Sequence, residues 1–316
     1  MLYDVPESAG IDIGTCPVCG SEDVAEWLKA PDRFHGRPQL YTLARCNSCA
    51  LVWTHNPPRP EEMDRHYSPD YNRIIAEAGE GSSDRWNARR TTLLQYKTRG
   101  RLLDLGCSSG SFLSTLKNGS WDLAGIEMSE ESAKKAEASS GAQIFCGDVL
   151  AAPFEENTFD IVTCFHVFEH IYEPEKVMRK ISSWLKPGGI FYANVPNIDS
   201  AGAKIFGSYW FALELPRHLF HFSPASIRHL AQSTGFEEVS IITGRELFLE
   251  DSVRYILEEC CRKLGFSPTT LSRAKKASLP WKIVRKAMRL GLIHPLSRLG
   301  FLFGDGESIH IILRKK

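Results

Sequence analysis

Residues 102–113 read LLDLGCSSGSFL, an apolar run that ends in a loop of small residues. The loop GCSSG at 106–110 fits the G-x-S-x-G elbow that exposes a nucleophilic serine in hydrolases, and it also fits a glycine loop that holds a nucleoside cofactor. A hydrolase elbow follows earlier strands and an HGGG-like oxyanion loop, which this sequence lacks before residue 102. We therefore favour the cofactor loop. The alternative is a serine hydrolase that uses Ser108 with His170 or His218 as the base.

After residue 100, short apolar runs alternate with segments whose apolar residues recur at helical spacing. The predicted strands are 101–105, 122–126, 143–145, 159–165, 189–195, 237–242 and 308–314, and the predicted helices are 111–117, 130–139, 174–185 and 224–235. Strands that alternate with helices form a parallel sheet covered by helices. The pattern therefore predicts an α/β fold for this part of the chain.

Four of the nine cysteines form two close pairs near the N-terminus. The motifs CPVC at 16–19 and CNSC at 46–49 are separated by 26 residues. Four thiolates at this spacing can provide the closed, tetrahedral coordination that structural zinc prefers. We therefore predict a zinc-ribbon-like lobe that holds a structural Zn²⁺ ion, with the ligands Cys16, Cys19, Cys46 and Cys49.

Breaker residues and composition divide the chain. The run NPPRP at 56–60 ends the cysteine-rich segment. We predict a zinc-ribbon-like lobe at 1–60, a helical bridge at 61–100, an α/β domain formed by 101–251 together with 306–316, and a basic helical insertion at 252–305. The N-terminus has no basic and apolar leader, and no apolar run reaches the roughly 18 residues of a membrane span, so we expect a cytoplasmic protein.

Acidic residues near the predicted strand ends restrict the kind of cofactor. Glu127 stands 21 residues after Gly106, the separation at which a carboxylate can bind ribose hydroxyls. The loop lacks G-x-G-x-x-G spacing, and Asp104 would repel a pyrophosphate. The sequence therefore disfavours an anionic dinucleotide and favours a cationic nucleoside cofactor.

The motifs LDLGCSSG, GIE, GD, FD and LKPGG, which begin at residues 103, 125, 147, 159 and 185, resemble successive motifs of class I S-adenosylmethionine-dependent methyltransferases. The resemblance covers about residues 90–245 and departs from the family at Ser108, where the family usually has glycine. It implies a Rossmann-like seven-stranded sheet of order 3-2-1-4-5-7-6 with the last strand antiparallel, and S-adenosylmethionine as cofactor. The cofactor-binding residues that it implies are Asp104, Gly106, Ser108, Gly110, Glu127, Met128, Asp148, Val149 and Phe165.

The stretch FHVFEH at 165–170 contains the H-x-x-E-H pattern of some zinc peptidases. A peptidase site needs both histidines on a long helix, but Pro174 follows His170 closely and leaves about one helical turn. The stretch instead resembles the segment after the fourth strand of methyltransferases, which lines the cleft between cofactor and acceptor. His166 and His170 are therefore candidate catalytic residues.

The loop WFALELPRHLFHFS at 210–223 resembles the substrate-side loop of methyltransferases that are common in surface-glycan and secondary-metabolite pathways. His218 is a candidate general base, and Arg217 could bind a phosphate or carboxylate. Trp210 and His221 are further candidate substrate contacts. We predict O-methylation of a small polar acceptor such as a sugar, a sugar nucleotide or a lipid-linked glycan.

Charge is distributed unevenly, although the net charge is zero. Residues 252–316 contain 14 Lys and Arg but only 4 Asp and Glu. Segment 281–290 alternates apolar and cationic residues as an interfacial helix does, which predicts weak contact with a membrane surface or a lipid-linked substrate. Nucleic acid is disfavoured as a partner. The alternative to an enzyme is a zinc-lobe binding module with an inactive methyltransferase core.

Overall fold

The computed structural model describes residues 14–68, 83–244, 248–263 and 306–316. In chain order its strands are β1 (Val24–Asp32), β2 (Arg37–Cys46), β3 (Val52–Thr54), β4 (Arg99–Leu105), β5 (Ser120–Glu127), β6 (Gln143–Cys146), β7 (Phe159–Phe165), β8 (Leu185–Pro196), β9 (Phe220–His221), β10 (Phe236–Gly244) and β11 (Ser308–Lys315). Its α-helices are α1 (Pro60–Met63), α2 (Ser83–Leu94), α3 (Ser111–Ser114), α4 (Glu130–Ser140), α5 (Pro174–Trp184), α6 (Ala201–Phe206), α7 (Pro224–Ser233) and α8 (Phe248–Lys263).

Seven strands form the central sheet in the order β10-β11-β8-β7-β4-β5-β6. The strands from β4 to β8 pair in parallel. Strand β11 lies between β8 and β10 and is antiparallel to both. When the seven strands are numbered along the chain, their order is 3-2-1-4-5-7-6 with an antiparallel last strand. The predicted α/β, Rossmann-like fold is therefore confirmed.

Helices cover both faces of this sheet, because successive strand residues point to opposite sides. In β4, Leu103 packs in one hydrophobic cluster with Ile181 of α5, and Leu102 packs in another with Phe112 of α3. These four side chains are almost completely buried. This two-sided burial explains why the strands read as nearly continuous apolar runs.

Helix α3 is shorter than predicted and ends at Ser114. After it, the backbone N–H of Thr115 donates to the carbonyl oxygen of Phe112, and that of Leu116 donates to Leu113. These bonds span three residues and not four, and the Thr115 hydroxyl also donates to the Phe112 carbonyl at 2.7 Å. The local side-chain bond therefore competes with the helical pattern.

A second sheet has the order β1-β2-β3-β9. Its first three strands belong to the cysteine-rich segment, whereas β9 comes from the loop at 210–223. Val52 pairs with His221, and Trp53 pairs with Phe220. A two-residue strand leaves no periodicity to read, so the sequence did not predict β9. The cysteine-rich segment thus shares a sheet with the predicted acceptor loop, and the predicted division into domains stays a prediction.

Helix α8 occupies the beginning of the predicted basic insertion, between β10 and β11. The segment at 281–290 and its predicted membrane contact lie outside the described residues. Among the helices that the structure describes, none is both long and apolar enough to cross a membrane.

Candidate cofactor, acceptor and metal sites

The loop after β4 packs tightly against its neighbours. Gly106 and Gly110 have φ angles of 64° and 78°, in the left-handed region. A Cβ atom at Gly106 would lie 2.3 Å from Val167 Cγ2, and one at Gly110 would lie 2.8 Å from the Cα of Ala136. Both glycines are therefore needed for the loop to contact α4 and the segment that follows β7.

Ser108 also lies in the left-handed region, with φ 50°. This conformation costs a residue with a Cβ about 1–2 kcal/mol. The backbone N–H of Ser108 donates to Glu127 Oε2 at 2.9 Å, and its side chain is exposed. Within the described residues no histidine hydrogen-bonds to Ser108 Oγ, so the arrangement of a hydrolase triad is not assembled here.

Asp104 lies near the end of β4 with only 4% of its surface exposed. Its Oδ1 accepts a hydrogen bond from the Thr163 hydroxyl of the neighbouring strand β7 at 2.6 Å. Burial raises the pKa of Asp104 to about 7, although the Thr163 hydrogen bond and the charge of Arg89 act in the opposite direction. A cationic ligand at this position would favour the ionised carboxylate.

Glu127 and Asp148 complete a row of acids on adjacent strands. Glu127 ends β5, and its Oε1 accepts a hydrogen bond from the Ser129 N–H at 2.9 Å. Asp148 follows β6, is exposed, and accepts a hydrogen bond from the Leu150 N–H at 2.7 Å. Strands β4, β5 and β6 are neighbours and parallel, so all three acids lie at the carboxyl edge of the sheet, where α/β proteins bind their ligands.

The remaining predicted cofactor residues lie at the same edge with different exposures. Met128 is 70% exposed, and Val149 is half-buried. Phe165 is buried at the end of β7, where its ring packs edge-on against Phe112 and Tyr192 with 5.0 Å between centroids. Phe165 therefore belongs to the hydrophobic core that packs against this edge of the sheet.

A cavity of about 610 Å³ lies elsewhere, at the opposite end of the sheet. It is lined by residues such as Arg99 and Ser120, with which β4 and β5 begin. Ligands of open α/β sheets bind at the carboxyl ends of the strands. A ligand of this fold is therefore expected beside the row of acids and not in this cavity.

Histidines and one glutamate form a cluster beyond the end of β7. His166 follows the strand with φ 56°, and its Nδ1 lies 3.5 Å from Glu169 Oε1. Glu169 is 1% exposed. Burial acts to raise the pKa of Glu169, but the surrounding His166, His218 and His170 outweigh it and lower that pKa. Of these histidines, His166 has a side chain that is 28% exposed, so it is accessible from solvent.

The other histidines of the cluster contact backbone carbonyl oxygens through Nδ1. His218 Nδ1 lies 2.8 Å from the Ala212 carbonyl oxygen, and His170 Nδ1 lies 3.0 Å from the Arg217 carbonyl oxygen. The two imidazole rings meet edge to face with 4.6 Å between their centroids. Burial lowers the pKa of His170 to about 4 and that of His221 to about 3, and His218 adds to both effects. His170 and His221 are therefore neutral near pH 7.

Arg217, predicted to bind an anionic acceptor, is completely buried. Its Nη1 lies 3.6 Å from Asp32 Oδ2, its Nε lies 3.3 Å from Glu214 Oε1, and its guanidinium stacks on Phe34. Two carboxylates of the protein therefore compensate its charge. In this conformation Arg217 holds the acceptor loop against the cysteine-rich segment and does not face the cleft. Trp210 is also buried, in the hydrophobic cluster beneath the same loop.

Sequence reasoning missed three buried polar residues that support these sites. Thr163 binds Asp104, and Asn194 accepts a hydrogen bond from Arg89 at 3.2 Å. A polar residue inside an apolar run was the available signal for both. Asp32, which faces Arg217, gives no local signal because its partner lies far away in the sequence.

The four cysteines predicted to bind zinc come together. Cys16 Sγ lies 3.6 Å from Cys49 Sγ, and Cys19 Sγ lies 3.5 Å from Cys46 Sγ. Thiolates about 2.3 Å from one tetrahedral Zn²⁺ ion are about 3.8 Å apart, whereas disulfide sulfurs are about 2.05 Å apart. The backbone N–H groups of Cys19 and Cys49 also point to the first sulfur of each pair. The donor set and its spacing fit a structural zinc ion.

Comparison with known proteins identifies the family. Residues 78–241, just over half of the chain, match the family described as "Methyltransferase domain". This chain belongs to that methyltransferase family. With its confirmed strand order, it is a class I S-adenosylmethionine-dependent methyltransferase.

Individual relatives agree with this assignment. The methyltransferase is 26% identical over 177 residues to a ubiquinone biosynthesis O-methyltransferase of Ralstonia nicotianae, which covers 50% of this chain and 74% of the relative. It is 32% identical over 152 residues to the enzyme of that name from Bordetella avium, covering 43% of this chain and 62% of the relative. A solved S-adenosylmethionine-dependent methyltransferase of Archaeoglobus fulgidus superposes with a TM-score of 0.53 at 19% identity, covering 78% of this chain and all of the other.

Proposed function

We propose that this methyltransferase transfers the methyl group of S-adenosylmethionine to an oxygen atom of a small polar acceptor, such as a sugar, a sugar nucleotide or a lipid-linked glycan. The observation that carries the proposal is the contact between His166 and Glu169 beside the glycine loop. A hydroxyl acceptor must lose a proton as the methyl group arrives, and a histidine paired with a carboxylate can take it. The O-methyltransferase names of the two relatives also support an oxygen acceptor.

His166 is the best placed of the three candidate catalytic histidines. Val167 occupies the space next to Gly106, so the preceding residue stands beside the cofactor loop. The Glu169 carboxylate lies 3.5 Å from His166 Nδ1 and attracts a proton to that nitrogen, which leaves Nε2 to take the acceptor proton. Such a base contributes about 10²–10⁴-fold to the rate, and alignment of donor and acceptor supplies much of the rest.

For the cofactor, the proposed roles follow the order of the acids along the sheet edge. Asp104 and the loop from Gly106 to Gly110 hold the positively charged methionine part. Glu127 binds the ribose hydroxyls, and Asp148 accepts a hydrogen bond from the adenine amino group. In the described structure Glu127 accepts bonds from the N–H groups of Ser108 and Ser129, which fix its carboxylate at this edge.

For the lobe, we propose a structural zinc ion at Cys16, Cys19, Cys46 and Cys49. Their sulfur separations and the two N–H groups that face sulfur support it. Four protein ligands leave no open position, so the ion stabilises the lobe and takes no part in the chemistry.

The proposal is tested with purified full-length chain, S-adenosylmethionine labelled in its methyl group, and a panel of acceptors. Sugar nucleotides, lipid-linked sugars and a ubiquinone precursor form the panel. We expect label in a base-stable methyl ether of a sugar-containing acceptor. Label only in the ubiquinone precursor would overturn the acceptor class, and label on nitrogen or carbon would overturn the oxygen assignment.

The role of His166 is tested in the same assay. His166→Asn should lower kcat by about 10²-fold or more while the Kd for S-adenosylmethionine stays within a factor of about three. His229→Asn is the matched control, because His229 is exposed on α7, away from the cluster. If the two variants turn over equally fast, His166 is not the base.

A further inference from the structure

The cluster behind His166 has features of an ion-binding site that the methyl-transfer scheme does not use. Glu169 and His170 belong to the 3-10 turn Phe168–His170, and His218 lies in the acceptor loop. One ligand atom from each of the three side chains lies within 4.8 Å of the other two. Ligand atoms about 2.0–2.2 Å from one ion are about 3–4 Å apart, so a side-chain shift of about 1 Å would close the set.

Both histidines contact a backbone carbonyl oxygen through Nδ1, which leaves Nε2 for a ligand. His170 Nδ1 faces the Arg217 carbonyl oxygen at 3.0 Å, and His218 Nδ1 faces the Ala212 carbonyl oxygen at 2.8 Å. A carbonyl oxygen only accepts hydrogen bonds, so Nδ1 of each ring carries a proton, and in the neutral ring Nε2 carries the lone pair. His218 Nε2 also lies 3.5 Å from Glu214 Oε2, which places a second carboxylate beside the cluster. Histidines that bind metals are commonly oriented by this type of N–H bond to a backbone carbonyl.

Glu169 provides the second, independent observation. Its side chain is 1% exposed, and within the described residues neither carboxylate oxygen has a hydrogen-bond donor. Its contact with His166 Nδ1 at 3.5 Å is long for a hydrogen bond. An ionised carboxylate in such a place costs several kcal/mol unless positive charge compensates it, which a protonated histidine of the cluster or a metal ion supplies.

We propose that Glu169, His170 and His218 bind one divalent transition-metal ion, separate from the four-cysteine site. Two imidazole nitrogens and one carboxylate suit Mn²⁺, Fe²⁺, Co²⁺ or Zn²⁺, and three protein ligands leave coordination positions open. The second oxygen of Glu169 remains available to His166. If the proposed function is correct, the acceptor oxygen fills an open position, where the ion lowers the pKa of its hydroxyl group.

The test measures metal binding, so it can fail or succeed independently of methyl transfer. The full-length chain is stripped of metal, titrated with cobalt(II) chloride and desalted, and bound cobalt is counted by mass spectrometry. Cobalt bound to thiolates has a strong charge-transfer band in the near ultraviolet, which cobalt bound to nitrogen and oxygen lacks. We expect two cobalt ions per chain, one of them without a thiolate band.

Three variants locate the second ion. Glu169→Gln and His218→Asn should each lose one cobalt ion and keep the thiolate band, which also reports that the lobe is folded. His229→Asn should keep both ions. A wild-type chain that binds only the thiolate-bound cobalt would overturn the proposal, as would unchanged stoichiometry in both substituted variants. If either of the two variants does not fold, the other decides the outcome.

Discussion

Ser108 occupies a left-handed backbone conformation that glycine adopts more readily than serine. Its φ of 50° costs about 1–2 kcal/mol, which glycine at this position would not incur. Glycine is also more flexible in the unfolded chain, and this flexibility offsets about 0.5–1 kcal/mol of the gain. We therefore expect Ser108→Gly to raise the free energy of unfolding by about 0.5–1 kcal/mol in urea denaturation and to keep methyl transfer. Ser109→Gly is the control, because Ser109 does not have a positive φ, and it should destabilise. Loss of activity in Ser108→Gly would revive a chemical role for the serine.

Asp104 couples cofactor binding to pH. Its pKa of about 7 in the folded chain lies above the unfolded value of about 3.9, so the folded state binds more protons between these values, and stability falls as pH rises through this window. Asp104→Asn removes that cost. We expect the variant to be about 2–4 kcal/mol more stable than the wild type at pH 8 in urea denaturation, with a smaller gain at pH 5. An equal gain at both pH values would contradict the assignment.

The same carboxylate sets the pH dependence of cofactor affinity. A positively charged cofactor favours the ionised form, so the Kd for S-adenosylmethionine should rise up to about tenfold per pH unit below pH 7. Calorimetric titrations between pH 5.5 and about pH 8 in a constant-ionic-strength buffer would measure it. Asp104→Asn should bind weakly and with a flat profile; a steep profile in this variant would assign the dependence to another group.

The sequence predicted those elements that carry their own periodicity. Strands β4 to β8 and helices α4, α5 and α7 were found because the apolar runs and the 3.6-residue spacing are local. Strand β9 was missed because two residues show no pattern, and the early end of α3 was missed because the Thr115 side-chain bond that competes with the helix leaves no mark on the apolar spacing.

The residues of the candidate site also fall into those that local sequence features predict and those that they do not. The position of the row of acids could be predicted because each member lies at or next to the end of a recognisable strand. The burial of Arg217 could not, because its partner Asp32 lies in a different part of the fold. Long-range pairing of charges leaves no spacing to read in one sequence, and the anion-binding role of Arg217 stays a prediction.

The glycine loop and the segment after β7 form one packed unit. A methyl group at Gly106 would meet Val167 at 2.3 Å, and φ is 64°. We expect Gly106→Ala to lower the free energy of unfolding by about 1–3 kcal/mol, and Val167→Ala in the same chain to recover part of it. Gly188→Ala is the matched control: φ is 72° there, but nothing lies within 4 Å of the added atom. Its cost should be smaller, and equal costs would show that the contact is unimportant.

At the scale of the whole molecule, the cysteine-rich segment and the acceptor loop depend on each other. Strand β3 pairs with β9, and the Thr54 hydroxyl donates to the His218 carbonyl oxygen at 3.1 Å. Asp32 faces Arg217, whose carbonyl oxygen accepts the bond from His170. The row of acids at β4, β5 and β6 has no part in these contacts. Disturbing the lobe should therefore affect the acceptor side more than the cofactor side.

Cys19→Ser separates the two sides experimentally. It removes one of four thiolates from a site whose zinc would contribute about 10–16 kcal/mol, so the lobe should lose its zinc and unfold at lower temperature. We expect kcat to fall by at least about tenfold as β9 loses its partner strand, while the Kd for S-adenosylmethionine, measured by calorimetry, changes by less than about threefold. Cys260→Ser, at an exposed cysteine of α8, is the control and should change neither quantity. Full turnover in a zinc-free Cys19→Ser protein would contradict this dependence. It would show that the acceptor loop keeps its conformation when β3 no longer positions β9.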